Sequence, residues 1–233
     1  MEGSDLSPKR SDYLISLLKA SVGSIPVAGS FISEMVSYVI PNQQIDRIVK
    51  FTKQLEQRLI RIELYLTDSK NYSDHFVEMM EEVLRQASRS TSDDRRDYLA
   101  SLVVRSLTME DERIIESRHL LRILNEINDI EVIWLRSYLC PLDYTDEFLE
   151  KYQDILQLRS TLSNDEEEYN KACIQMSYKQ HLERLGLLRP KYQLDRNTKQ
   201  PVFDKKSGLK AEGYEITEFG RLLIKYIGLD PYE

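Results

Sequence analysis

His181-Leu182-Glu183-Arg184-Leu185-Gly186-Leu187-Leu188, followed after a basic stretch by Gly213-Tyr214-Glu215-Ile216-Thr217-Glu218-Phe219-Gly220-Arg221-Leu222-Leu223-Ile224, decides the C-terminal fold. The apolar helical pattern stops at Gly186, where a left-handed helix cap is cheap only for glycine. Tyr214-Glu215-Ile216 alternates like a strand. Thr217 stands where a hydroxyl cap would start the last helix. Helix, basic hairpin, strand and helix in that order are the outline of a winged-helix-like module with a short β-hairpin.

The connecting stretch 189–210 is the most charged part of that outline. It carries Arg189, Lys191, Arg196, Lys199, Lys205, Lys206 and Lys210 against Asp195 and Asp204, a net charge of +5. The whole chain of 233 residues is at -7, which leaves -12 for the remainder. Such a balance argues against a protein that coats nucleic acid along its length. A local basic wing, with Tyr192 and Phe203 between the cations, suits phosphate or groove contact. The helix before it, about 177–185, would present Lys179, Gln180 and Arg184 to a duplex.

Working toward the N-terminus, the pattern is helical throughout. Charged residues make up 30 % of the chain, both signs are interspersed, and glycine and proline are sparse, the profile of a helical protein with enough apolar content for a core. The long helix about 42–66 carries Ile45, Ile48, Thr52, Leu55, Leu59, Ile62 and Leu66 at alternating spacings of three and four. That heptad seam is read either as an ordinary bundle face or as a self-association surface through Ile45, Ile48, Leu55, Leu59 and Ile62. Four further helices are expected. Their inward faces run from Phe76 to Ala87, from Tyr98 to Leu107, from Ile114 and Ile115 to Ile127, and around Trp134, with Ser92 and Thr108 as caps.

Before the long helix, fourteen uncharged residues separate Lys19 from Glu34, broken by Gly23-Ser24-Ile25-Pro26-Val27-Ala28-Gly29. The break makes this a helical hairpin, Ile25 to Ile40, rather than a spanning helix, which needs about 20 unbroken apolar residues. Ile25, Val27, Phe31, Ile32 and Val36 are its candidate membrane or partner contacts, the membrane contact being conditional. The division expected is a lead-in with a first short helix over 1–21, a helical bundle over 22–160 and the winged module over 161–233.

No phosphate loop, dinucleotide fingerprint, HExxH pair or nucleophile elbow is present. Cys140 and Cys173 lack metal-ligand spacing and suit a reducing compartment, and the polar N-terminus lacks the regions of a signal peptide, so the expected location is cytoplasmic. No cofactor, metal or catalytic set is expected. Arg113-Ile114-Ile115-Glu116-Ser117-Arg118-His119 resembles the loose motif of helical HEPN ribonucleases, an arginine and a histidine separated by four to six residues, which leaves a lesser alternative of RNA cleavage through Arg113 and His119.

Four segments together carry a wider resemblance. They are Ser24-Ile25-Pro26-Val27-Ala28-Gly29, the stretch Val83-Leu84-Arg85-Gln86-Ala87-Ser88-Arg89-Ser90 continuing to Val103, and the two C-terminal motifs quoted first. In order and phrasing the chain resembles the bacterial abortive-infection alpha family over about residues 22–227. The resemblance implies a non-enzymatic role in antiviral defence, in which a phage-infected bacterial cell stops growing or dies. It implies no catalytic residues. A protein partner or homo-oligomer is the expected associate, and nucleic-acid binding by the wing, as in a DNA-binding regulator, is the alternative.

Overall fold

The computed structural model describes residues 45–62, 74–107, 111–139, 147–158, 165–196, 198–204 and 208–232. The apolar hairpin expected over 25–40 and the cap expected at Thr108 lie outside them. The fold is mainly helical, with a small antiparallel sheet near the C-terminus. Among the described residues, no helix is long and apolar enough to cross a membrane.

The chain divides into two compact units, the first running to Asn125 and taking in Tyr226–Gly228, the second formed by Glu126–Lys225 and Leu229–Glu233. In the first, α1 (Ile45–Ile62), α2 (Asp74–Arg89), α3 (Asp93–Leu107) and most of α4 (Asp111–Glu126) carry the core. The three-four spacing of apolar residues turns one stripe of each helix inward. Ile48, Phe51 and Leu55 of α1 are buried with Met79, Met80, Val83 and Leu84 of α2 and Leu99 and Leu102 of α3. Ile115 was expected on the inner face of α4, yet it is exposed, because its helical position falls beside Glu116 rather than on the stripe of Ile114, Leu121 and Leu124.

Polar ties at helix ends set the angles of this unit. Arg47 of α1 donates to the carbonyls of Ser88 and Arg89, the last of α2, which satisfies acceptors that a helix end leaves open. Arg58 forms a forked pair with Asp97 at 3.2 and 2.6 Å, joining α1 to α3. The Ser92 hydroxyl accepts from the Arg95 amide at 3.2 Å and caps α3 as the sequence suggests. Arg96, almost fully buried, donates to the Ser90 carbonyl and pairs with Asp93 across the α2–α3 turn. That guanidinium holds the Asp93 carboxyl below its ordinary pKa, through the hydrogen bond first and its charge second.

The second unit contains α5 (Asp129–Ser137), α6 (Glu147–Lys151), α7 (Gln153–Leu156) and α8 (Glu166–Arg184). They are followed by β1 (Leu188–Tyr192), β2 (Phe203–Asp204), β3 (Gly208–Leu209), β4 (Ala211–Ile216) and α9 (Glu218–Tyr226). Asn128 opens α5 with a reciprocal capping box to Glu131. The second Glu131 oxygen lies 2.6 Å from Nδ1 of His181 on α8. Lys179 lies over the Trp134 ring at 4.6 Å. These ties place α5 with the C-terminal elements. The division therefore falls after residue 125, not near 160 where the acidic run suggested a joint.

The turn after α8 follows from its glycine. Gly186 has φ of +73°, and the Leu187 amide reaches back to the Leu182 carbonyl at 2.9 Å while the Gly186 amide reaches Glu183 at 2.8 Å. This pair of bonds closes a helix end. Leu188 and Ile216 then face each other as β1 pairs antiparallel with β4. Thr217 accepts from the Gly220 amide at 3.0 Å, starting α9, and its hydroxyl donates to the Gly186 carbonyl at 2.7 Å. A Cβ on Gly220 would stand 2.4 Å from the Leu187 carbonyl oxygen and 2.8 Å from Ile216 Cγ1.

The two glycines therefore predict different costs. Gly186→Ala meets open space and only the left-handed backbone penalty, about 1–2 kcal/mol. Gly220→Ala must push α9 off a backbone atom, an overpacking cost of about 3 kcal/mol or more. Urea unfolding of the two variants checks the order, and equal midpoints would refute it.

Candidate functional site

The basic stretch expected as one hairpin is branched. β1 and β4 form its stem, the segments bridged at Leu194 and Pro201 one arm, and β2 with β3 the other. The first arm is closed by the bridge between Leu194 and Pro201, the second by the pairing of Phe203 with Leu209 and Asp204 with Gly208. At the centre three backbone bonds run in a cycle. The Gln193 amide donates to the Lys210 carbonyl at 2.8 Å, the Lys210 amide to Val202 at 2.9 Å, and the Val202 amide to Gln193 at 2.8 Å.

The first arm ends in a turn built by its own polar side chains. Asp195 Oδ1 accepts from the Thr198 amide at 2.8 Å and from the Thr198 hydroxyl at 3.1 Å. The Lys199 amide bonds the Asp195 carbonyl, and Lys199 takes φ of +57° to close the loop. A short polar residue that bonds its own backbone makes such a turn cheap. Arg196 and Lys199 are thereby displayed at the tip.

Register and alternation fix the faces. Side chains directly opposite each other, or two apart along a strand, share a face. Tyr192 pairs with Ala211 beyond a bulge at Lys191/Tyr192, Leu194 with Pro201, and Phe203 with Leu209. These six flank the junction on one side, and Gln193, Val202 and Lys210 occupy the other. All six are exposed, Phe203 by 68 % and Leu194 by 53 %. This apolar face is continuous along β1 with Pro190 and the buried Leu188.

The sequence-named cations divide into groups. Lys191, Arg196, Lys199 and Lys210 are exposed on the wing. Arg189 is exposed too, but is held by Glu215 directly across the sheet at 2.7 Å. Lys205 and Lys206 lie outside the described residues. Lys179 is half-buried on Trp134, where burial lowers its pKa; Arg184 is exposed at the end of α8. Lys179 is thus drawn away from a ligand-facing surface by the indole beside it.

The other named residues stand elsewhere. Ile48 and Leu55 are in the core of the first unit, so these two positions of the heptad seam are covered by the chain's own helices. The side chains of Ile45, Leu59 and Ile62 are outside the described set, as are Ile25, Val27, Phe31, Ile32 and Val36. His119 is exposed on α4, and the side chain of Arg113 is not described. The neighbouring Arg118 bonds Glu78 at 2.5 Å and His75 Nδ1 at 3.3 Å. Among the described residues, no group of three His, Cys, Asp or Glu could hold a metal.

Leu194, Pro201 and Leu209 were passed over in the sequence because the cations around them mark a solvated loop. The period-two alternation of Tyr192-Gln193-Leu194 and Pro201-Val202-Phe203 carried the signal.

Behind the sheet, two tyrosines titrate late. Burial, and then the neighbouring Tyr214, push Tyr138 up to about 12. Tyr214 is raised by burial, by the Glu183 charge and by its hydrogen bond to Glu183. The folded state keeps these protons where an unfolded tyrosine loses its own, near pH 10. Stability is therefore full below about pH 10 and falls as pH rises toward about 12. Denaturant midpoints between pH 9 and about 12 check this; Tyr138→Phe flattens the fall, and a midpoint indifferent to pH contradicts it.

No model of a known protein family matches the sequence, no curated protein matches it, and no solved structure matches the fold.

Proposed function

We propose that this chain is a non-enzymatic phage-defence protein of bacteria that acts through association with other macromolecules in the cytoplasm. Its winged-helix-like C-terminal module supplies the contact surface. The observation that carries this reading is the exposed apolar face of the branched wing, with cations at its edges and a helix–strand–helix frame behind it. Apolar side chains gathered on one surface of a folded chain mark an interaction site more often than a solvated one. The resemblance to the abortive-infection alpha family supplies the setting, an infected cell that stops growing.

The test is phage challenge of a bacterial host expressing the chain. Plaque formation falls with the wild type and returns when Leu194→Asp and Phe203→Asp are combined, at equal protein level and unchanged helical circular dichroism. Both side chains are exposed, so the fold tolerates them. Protection that persists in the double variant, or is absent in the wild type, removes the reading.

Duplex DNA binding is a second reading, favoured by the +5 charge of residues 189–210. The first turn of α8 opposes groove entry, because Asp165, Glu166, Glu167 and Glu168 would meet phosphate there. Contact falls to the wing alone, giving weak, sequence-blind binding that drops steeply with salt. Fluorescence anisotropy with a labelled duplex reads it. Lys199→Glu with Lys210→Glu abolishes such binding; binding that ignores salt or survives both reversals rules it out.

A further inference from the structure

Helix α8 has more surface than this chain uses. Of its 19 residues only Ala172 and Leu182 are buried. Its ties to the second unit include polar and aromatic ones: His181 to Glu131, Glu183 to Tyr214, Lys179 over Trp134, and Gln175 donating to the Gln157 carbonyl at 2.8 Å. Nearer its N-terminus it carries Tyr169, Cys173 and Met176 at i, i+4 and i+7, one stripe of a helix. Ile174 is exposed on a different side of the helix. All four are exposed, Met176 by 48 %. Glu166 opens the stripe, and Asp165 and Glu167 stand exposed at the same end.

The wing presents the inverse chemistry. Its apolar face is flanked by Arg196 and Lys199 at the tip of the first arm, whereas the α8 stripe is headed by carboxylates. The α8 end has one cation of its own, Lys171 on Glu167 at 2.5 Å, so carboxylates still outnumber cations there, and both surfaces stand exposed in the folded chain. We infer that the wing of one copy docks on the N-terminal half of α8 of a second copy, seating Phe203, Leu194 and Leu209 against Tyr169, Cys173 and Met176. The cations at the arm tip then face Glu166 and Asp165. This rests on the association reading above and names the partner as the chain itself.

Charge separates this occupant from the two polyanions. A nucleic acid finds no use for the α8 stripe and is repelled by its acidic start. An anionic bilayer is a plane, so docking the wing would also bring toward it a remainder carrying -12. A second copy instead uses that negative charge.

The two patches differ, so the contact is head-to-tail. Each copy then keeps one free wing and one free helix, and assembly grows into a ring or a filament rather than stopping at a symmetric dimer. Opposite charges at the rim speed encounter and fix orientation, and they are screened by salt.

Analytical ultracentrifugation of the full chain, with Phe203→Asp and Met176→Asp, tests this. The wild type rises above its 27.4 kDa monomer mass with concentration and falls back as salt is added. Each variant alone lacks one half of every junction and stays monomeric. An equimolar mixture retains a single competent pair, the wing of the Met176→Asp copy and the helix of the Phe203→Asp copy, and forms a dimer and nothing larger.

A wild type that stays monomeric overturns the inference, as does a single variant that still assembles or a mixture that stays monomeric. Should either aspartate variant lose its helical signal, Arg196→Glu with Lys199→Glu and Glu166→Lys take their places in the same mixing experiment. The two proposals fail separately. A monomeric wild type whose wing variants lose phage protection discards self-docking and keeps association with some other protein. Wing variants that still protect discard association, whatever mass the chain shows.

Discussion

The second unit depends on the close approach of α9 to the backbone of Leu187. That carbonyl accepts from the Thr217 amide at 3.0 Å while the hydroxyl of the same threonine donates to Gly186. Gly220, one turn further on, leaves room for the approach because it has no Cβ. Three backbone positions thus fix where α8 ends, where β4 ends and how α9 leaves the sheet. With those ends fixed, the register of Leu188 against Ile216 has no freedom to slip. A one-residue slip would turn Leu188 and Ile216 to solvent. The root of the wing is therefore set by hydrogen bonds and a steric limit, and only a few buried side chains are needed behind it.

Beyond the root, the wing is held by the cyclic exchange among Gln193, Val202 and Lys210. Backbone amides and carbonyls do this work, so the side chains at the junction are released from packing. This is why a short insert can carry exposed leucine and phenylalanine and still keep a defined shape. The bulge at Lys191/Tyr192 matters for the same reason. It shifts β4 by one residue, so that Ala211 rather than Glu212 stands opposite Tyr192 and the apolar face continues across the stem without a carboxylate in it.

Elements ruled by local chemistry were legible in the sequence. The helical stripes of α2 and α3, the Ser92 cap, the Gly186 turn and the Thr217 cap all depend on residues within a few positions of one another. What the sequence hid depends on pairings across long separations. The tie between Glu131 and His181 spans 50 residues, and it moves α5 from the bundle into the C-terminal unit. The branching of the wing was hidden differently. A reader who weighs charge sees a solvated basic loop, since seven cations outvote four or five apolar residues in any average. Alternation, unlike average hydropathy, survives in segments as short as three residues. Ile115 shows the opposite error: an apolar residue beside a stripe was counted with it.

Two exposed apolar surfaces of opposite rim charge on one unit pose a solubility problem. The overall charge of -7 answers it at low concentration, since like-charged copies repel at distances beyond contact. Repulsion between whole chains decays over about one Debye length, roughly 10 Å at 0.1 M salt, whereas apolar burial acts only on contact. The balance between them shifts with copy number and ionic conditions. Neither surface needs to change shape for this. If copies dock as proposed, such a chain would rest dispersed while scarce and assemble when concentrated, with α8 and the wing as the two halves of each joint. In the proposed joint, apolar burial of Phe203 and Met176 would set the strength, and Glu166 and Lys199 the orientation. Binding strength and geometry therefore lie on different side chains and can be altered separately.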